Sequence, residues 1–167
     1  MAATNNKMIS RQEIGRIQFQ NISLHRILPN MSNLYKWKLV PTPLCTVCLV
    51  AEDTEHMFVS CRCLGGLWNQ VSALMSQFNI TFRVELSNII LGLSTASDKY
   101  SINVILTIAK LSIFKIWMRY KDDQQRFSTA DRVSVFLSEL RSIIKMDLLV
   151  DESRGNENWA NLLWLLD

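Results

Sequence analysis

Apolar residues recur at the three- and four-residue steps of an α-helix through most of this sequence. The longest run lies between about Tyr100 and Tyr120, where Ile102, Ile105, Leu106, Ala109, Ile113, Ile116 and Trp117 follow one face. Val104, Ile108 and Leu111 widen that face until little but Asn103, Thr107 and Lys110 is polar, so burial on most sides is expected. A second stripe, Leu67, Trp68, Val71, Leu74, Met75 and Phe78, predicts a helix that follows a loose Gly65-Gly66 exit and counts Trp68 as core. Ser128 with Asp131 reads as a capping box for a third helix, with Val133, Phe136, Leu137, Leu140, Ile144 and Leu148 inward and Arg132, Arg141 and Lys145 outside.

The remaining stretches are weaker. Ser10 and Glu13 form a capping box for an N-terminal helix that Pro29 stops; its rough stripe is Ile14, Ile17, Ile22 or Leu24, Ile27 and Leu28. The other face of that helix carries Arg11, Arg16, His25 and Arg26. Pro41 and Pro43 predict an extended connection after Pro29. Thr81 to Leu93 reads either as a short helix or as an extended segment, and Asp151 to Asn158 as an acidic, polar linker. The final apolar stretch, Trp159 to Leu166, must dock on this core or on a partner.

Composition agrees with a mostly helical, folded chain: 167 residues, 49% hydrophobic and 20% charged, with five glycines and three prolines. The expected organisation is an N-terminal helix plus knuckle over residues 1–80 and a helical module over residues 81–167, packed as one unit. The N-terminus lacks the apolar core of a signal peptide, and no uninterrupted apolar run reaches the roughly 18 residues of a membrane span. A reducing compartment, cytosol or nucleus, and no membrane partner are therefore expected. The net charge of +3 is unevenly spread: residues 1–44 carry six basic and one acidic side chain, and residues 99–145 nine and four. Two basic blocks flanking an acidic one are what a polyanion-binding surface shows, and also what a solvated helical protein can show by chance.

Candidate chemistry centres on Cys45, Cys48, His56 and Cys61, at C-x2-C-x7-H-x4-C spacing. Two cysteines two residues apart can grip one zinc ion from a tight turn, and an H-x4-C half can supply the other two ligands of a tetrahedron. Asp53 as N-cap would set His56 in the first turn of a short helix and Cys61 just past its end. The competing reading is a set of ordinary reduced core cysteines beside a chance histidine. Cys63 either replaces Cys61 as fourth ligand or is a spare buried thiol. Four protein ligands close the coordination, so the expected Zn2+ supplies folding energy and leaves no position for a catalytic water.

Before that motif, Tyr35 and Trp37 alternate with Lys36 and Lys38. Interleaved aromatic and basic residues can stack bases and hold phosphates. Alternatively Leu34, Trp37 and Leu39 pack on the knuckle while the lysines are solvated, and the two readings are compatible. No nucleophile elbow or Gly-rich phosphate loop is present. Tyr120-Lys121-Asp122-Asp123 spells a polymerase-like Y-x-D-D, but it ends a helix in a chain too short for a polymerase palm.

The run LHRILPNMSNLYKWKLVPTPLCTVCLVAEDTEHMFVSCRCLGGLW resembles the zinc-binding domain that follows the reverse transcriptase in non-LTR (LINE-type) retrotransposon polyproteins. HRILP, the LYK before the first cysteine, the C-x2-C, the acidic run into His56 and Leu67-Trp68 carry the resemblance, which extends more weakly from about Phe19 to Leu149. It implies an accessory role in contacting RNA or DNA during target-primed reverse transcription; the closed coordination is what argues against an enzyme. By the same resemblance the metal ligands are Cys45, Cys48, His56 and Cys61. Members of that family are C-terminal pieces of very large proteins, whereas this sequence opens with its own methionine.

Taken together, the expectation is an all-α chain with a small CCHC zinc knuckle after the first helices. Arg26, Lys36, Lys38 and Arg62 are expected on phosphates, with Tyr35 or Trp37 stacking a base. The rival expectation is a zinc-stapled protein-interaction module whose apolar C-terminus engages a partner, such as the rest of a retrotransposon polyprotein.

Overall fold

A computed structural model describes residues 11–25, 27–93, 99–120 and 129–166, and these form an all-α protein with no strand among them. Seven α-helices follow in order: α1 (Arg11–Leu24), α2 (Met31–Lys36), α3 (Gly65–Ser76), α4 (Leu86–Leu91), α5 (Lys99–Tyr120), α6 (Thr129–Val150) and α7 (Glu152–Trp159). A π-helical turn (His56–Ser60) and a 3-10 turn (Arg62–Leu64) precede α3, and a 3-10 segment (Ala160–Leu166) ends the described chain.

The body is built on α5. Its Ile102, Ile105, Leu106, Ala109 and Ile113 are buried, as the continuous apolar stripe requires. Tyr100 Oη donates to Asp147 Oδ2 at 2.8 Å and Lys115 pairs with Glu139 at 2.7 Å, so α6 runs antiparallel to α5. α3 packs across both, and Trp68, Phe136, Leu140 and Trp159 join the same buried cluster as Phe19 and Leu28. Apolar burial therefore runs without interruption from either side of position 80. The stretch Tyr100–Arg119 is long and apolar enough to cross a membrane by composition, and 56% of it is buried inside this fold.

Lys110 departs from that pattern. It is 1% exposed, and its ammonium donates to Gln20 Oε1, whose amide in turn donates to the Ile90 carbonyl at 2.6 Å. This chain ties α1 and α4 to α5, and burial pushes the Lys110 ammonium down to about 8.

Several local expectations need correction. α1 ends at Leu24, not at Pro29, and it buries Phe19 and Ser23 while Ile17 and Leu24 stay exposed; the Phe19 ring lies tilted against Phe114 of α5, centroids 5.4 Å apart. Its proposed cap, Ser10, lies outside the described residues, as do Lys121, Asp122 and Asp123. Gly65 and Gly66 are not a loose exit but the first turn of α3, with Gly65 at φ −52 and ψ −48. Residues 81–85 lie outside any helix, with Glu85 extended, and the chain then winds into α4.

The acidic linker is a helix. Asp151 caps α7 by accepting from Arg154 N–H at 3.0 Å, and Gly155 lets the helix lie flush on α6. A Cβ at Gly155 would sit 2.9 Å from Leu148 Cα, a contact that periodicity cannot reveal. The last segment then docks on this chain's own core: Trp159, Leu162 and Leu165 are buried, and Arg141 Nε donates to the Leu165 carbonyl at 2.7 Å.

Candidate metal centre

The expected extended connection after Pro29 contains α2. Asn30 caps it, accepting from Asn33 N–H through its side chain at 2.9 Å. The helix closes with Lys38 in the left-handed region, φ 60; Lys38 N–H donates to the Tyr35 carbonyl and Leu39 N–H to the Leu34 carbonyl, each at 2.9 Å. These two bonds form a Schellman ending, with a lysine where glycine is usual. The sharp turn leaves Tyr35, Lys36, Trp37, Lys38 and Leu39 exposed while Leu34 is buried. Trp37 and Leu39 thus do not pack inward.

Next comes a short hairpin. Glu52 N–H donates to the Pro43 carbonyl and Cys45 N–H to the Val50 carbonyl, flanking a single bridge between Leu44 and Ala51. At its tip Leu49 N–H donates to the Cys45 carbonyl, which requires Leu49 at φ 59, a conformation that costs a side chain with a Cβ. This turn brings Cys45 and Cys48 round to one side.

The other two thiol and imidazole positions come from the π turn. Asp53 Oδ1 accepts from His56 N–H at 2.8 Å, as the capping pattern predicts. Cys61 N–H donates to the His56 carbonyl at 3.0 Å, and this five-residue closure turns an H-x4-C spacing inward to a common point. Trp68 Nε1 donates to the Phe58 carbonyl at 2.8 Å, fixing the turn to α3.

As a result one ligand atom from each of Cys45, Cys48, His56 and Cys61 lies within 4.8 Å of the others, and these four could hold a metal ion. Cys45 and His56 are buried; Cys48 and Cys61 are half-buried with sulfurs 3.8 Å apart. His56 Nδ1 lies 3.4 Å from Ser60 Oγ, while His56 Nε2 is buried with no hydrogen-bond partner. A buried imidazole nitrogen aimed among three free thiols is the donor set a soft or borderline cation takes. The Cys61 thiol, hydrogen-bonding to Cys45, holds the Cys45 thiol well below its ordinary value, while that same contact and burial push Cys61 up. Cys63 stands outside the cluster, half-buried.

Glu52 links this hairpin to the body. Its Oε1 accepts from Met31 N–H at 3.1 Å and from Trp117 Nε1 of α5 at 2.6 Å, and burial pushes its carboxyl up to about 7 against those two donors. Neither residue stood out as chemistry-bearing in the sequence. The available signal was Trp117 itself, whose N–H must find an acceptor when its ring is packed into a core. Among the expected phosphate contacts, Lys36 and Lys38 are exposed, Arg62 is exposed with its guanidinium on the Val47 carbonyl at 2.7 Å, and Arg26 lies outside the described residues.

Set against known proteins, the chain matches no family model, no curated protein and no solved structure.

Proposed function

We propose that this chain is a zinc-stapled, nucleic-acid-binding accessory module of the kind that follows the reverse transcriptase in LINE-type polyproteins. One observation carries the reading most: a tetrahedral zinc with Zn–S bonds of about 2.3 Å sets two sulfurs about 3.8 Å apart. Cys48 and Cys61 stand at that separation, 3.8 Å, and His56 Nε2 is buried with no hydrogen-bond partner. The four protein donors would close the coordination, so the ion's role is to hold the hairpin and the π turn together. Next to that staple, Tyr35, Lys36, Trp37 and Lys38 are exposed on the end of α2, where rings can stack unpaired bases and ammonium groups can meet phosphates.

Fluorescence anisotropy of a labelled single-stranded RNA, titrated with zinc-loaded protein at two salt concentrations, tests this. Binding should weaken with salt and fall further in Lys36→Ala/Lys38→Ala, which keeps its zinc. A folded, zinc-containing wild type that binds no nucleic acid sinks the reading.

A protein-interaction module is the second reading, and the exposed side chains of Leu39, Leu49 and Val50 favour it. Its surface would be the knuckle, since Trp159, Leu162 and Leu165 of the C-terminal stretch are spent on the chain's own core and Trp164 stands out from it.

A further inference from the structure

Arg62 sits between Cys61 and the spare Cys63, and the sequence offers it as a phosphate contact. Its bonds point inward instead. We propose that Arg62 is a positioning residue of the metal centre, clamping the Cys45–Cys48 turn against the arm that carries Cys61 and offsetting the charge of the bound thiolates. The inference rests on the zinc reading above.

Two contacts carry it. The Arg62 amide N–H donates to Cys48 Sγ at 3.5 Å, and its guanidinium Nη2 donates to the Val47 carbonyl at 2.7 Å. One residue therefore grips both the second ligand's sulfur and the carbonyl just before it. The hairpin's own backbone bonds, Cys45 to Val50, Leu49 to Cys45 and Glu52 to Pro43, stay within the hairpin. The pair from Arg62 joins it to the Cys61 arm, and the turn so held includes the left-handed Leu49.

Charge points the same way. Three thiolates and a neutral imidazole around Zn2+ leave a net charge of −1. Arg62 forms no ion pair with a carboxylate among the described residues, where the close pair is Lys115 with Glu139. Its guanidinium is thus free to favour the deprotonated, metal-bound ligand set, as hydrogen-bond partners around metal ligands do. An ammonium could donate to the same carbonyl and keep the charge, whereas an apolar chain of similar length keeps neither.

The test uses the full chain as wild type, Arg62→Ala, Arg62→Met and Arg62→Lys. Zinc affinity is read by competition with a chromophoric chelator, and the site's geometry by the thiolate charge-transfer and d–d absorption of the cobalt(II) form. The Ala and Met variants should bind zinc about 10- to 100-fold more weakly and show weaker cobalt d–d absorption, with Lys restoring most of both. Helicity at saturating zinc should match wild type in all four. Zinc affinity within about three-fold of wild type in Arg62→Ala and Arg62→Met, or no rescue by Lys, overturns the proposal. So does a loss of single-stranded RNA binding at saturating zinc with zinc affinity unchanged, which would return Arg62 to a phosphate. A wild type that takes up no zinc fails the zinc reading itself, a result distinct from any of these.

Discussion

The segment 30–62 and the helical body, from Gly65 onward, draw on buried polar groups to different degrees. In the body Ile105, Phe136, Leu140, Ile144 and Trp159 are buried, and Asp131, Arg141 and Lys145 of α6 are exposed. In residues 30–62 the polar side chains of Asn30, Glu52, Thr54 and His56 are buried beside Met31, Leu34, Met57 and Phe58, while Tyr35, Trp37, Leu39, Leu49 and Val50 are exposed. A segment this short encloses little apolar surface of its own, so it leans on hydrogen bonds and on Met57 and Phe58, which reach into the body's core. Small metal modules can then leave their large side chains outside, where they are available to partners.

Removing the metal should separate the two regions with the largest effect. Structural zinc contributes on the order of 10 kcal/mol to a small module. Chelation, or Cys48→Ser, is expected to erase amide-exchange protection from Met31 to Cys61 while α3, α5 and α6 keep theirs. Simultaneous loss across the body would instead make the molecule one cooperative unit, with the Glu52–Trp117 bond as its coupling.

Phe136→Ala attacks the other side. Phe136 is fully buried among α6's neighbours, and its truncation should cost about 3–5 kcal/mol in a urea titration with one zinc still bound per folded molecule. Lys110 tests the rule from within the body, as a polar group where apolar burial should be better. Its folded value of about 8 lies below the ordinary 10.5, so between those values the unfolded chain holds more protons and stability rises with pH. Lys110→Met should therefore add about 1–3 kcal/mol at pH 7 and flatten the rise between pH 8 and 10. An unchanged or lower urea midpoint at pH 7 would show that the bond to Gln20 compensates the buried charge.

The smallest effects come from two substitutions in opposite directions. Leu49→Gly relieves a left-handed backbone at the hairpin tip, and Gly65→Ala adds a methyl to a helical site with no atom within 4 Å. Each should stabilise the zinc-loaded protein by roughly 0.5–1 kcal/mol, seen as a rise in thermal midpoint.

What the sequence made legible follows the same division. α3, α5 and α6 were readable because apolar burial writes itself as a period, and the gathering of Cys45, Cys48, His56 and Cys61, which could hold a metal ion, because their spacing fits two tight turns. Harder to see were features set by single contacts. The Schellman turn at Lys38 lacks its usual glycine, α7 depends on one close approach at Gly155, and α1 is held by Phe19 and by Gln20's bond to Lys110, with Ile22 half-buried and Ile17 exposed. In the site, the π closure between His56 and Cys61 is invisible to a helix template, and Glu52 is a carboxylate like any other until Met31 and Trp117 are found around it.

The hairpin's register is written in main-chain bonds, from Cys45 to Val50, from Leu49 to Cys45 and from Glu52 to Pro43. The side chains of Thr46, Val47, Leu49 and Val50 point away from that ladder and are exposed, so they hold nothing in place. In evolutionary terms the tip is a free variable: its surface can drift, or be redesigned to meet a new target, without renegotiating the ligands beneath it.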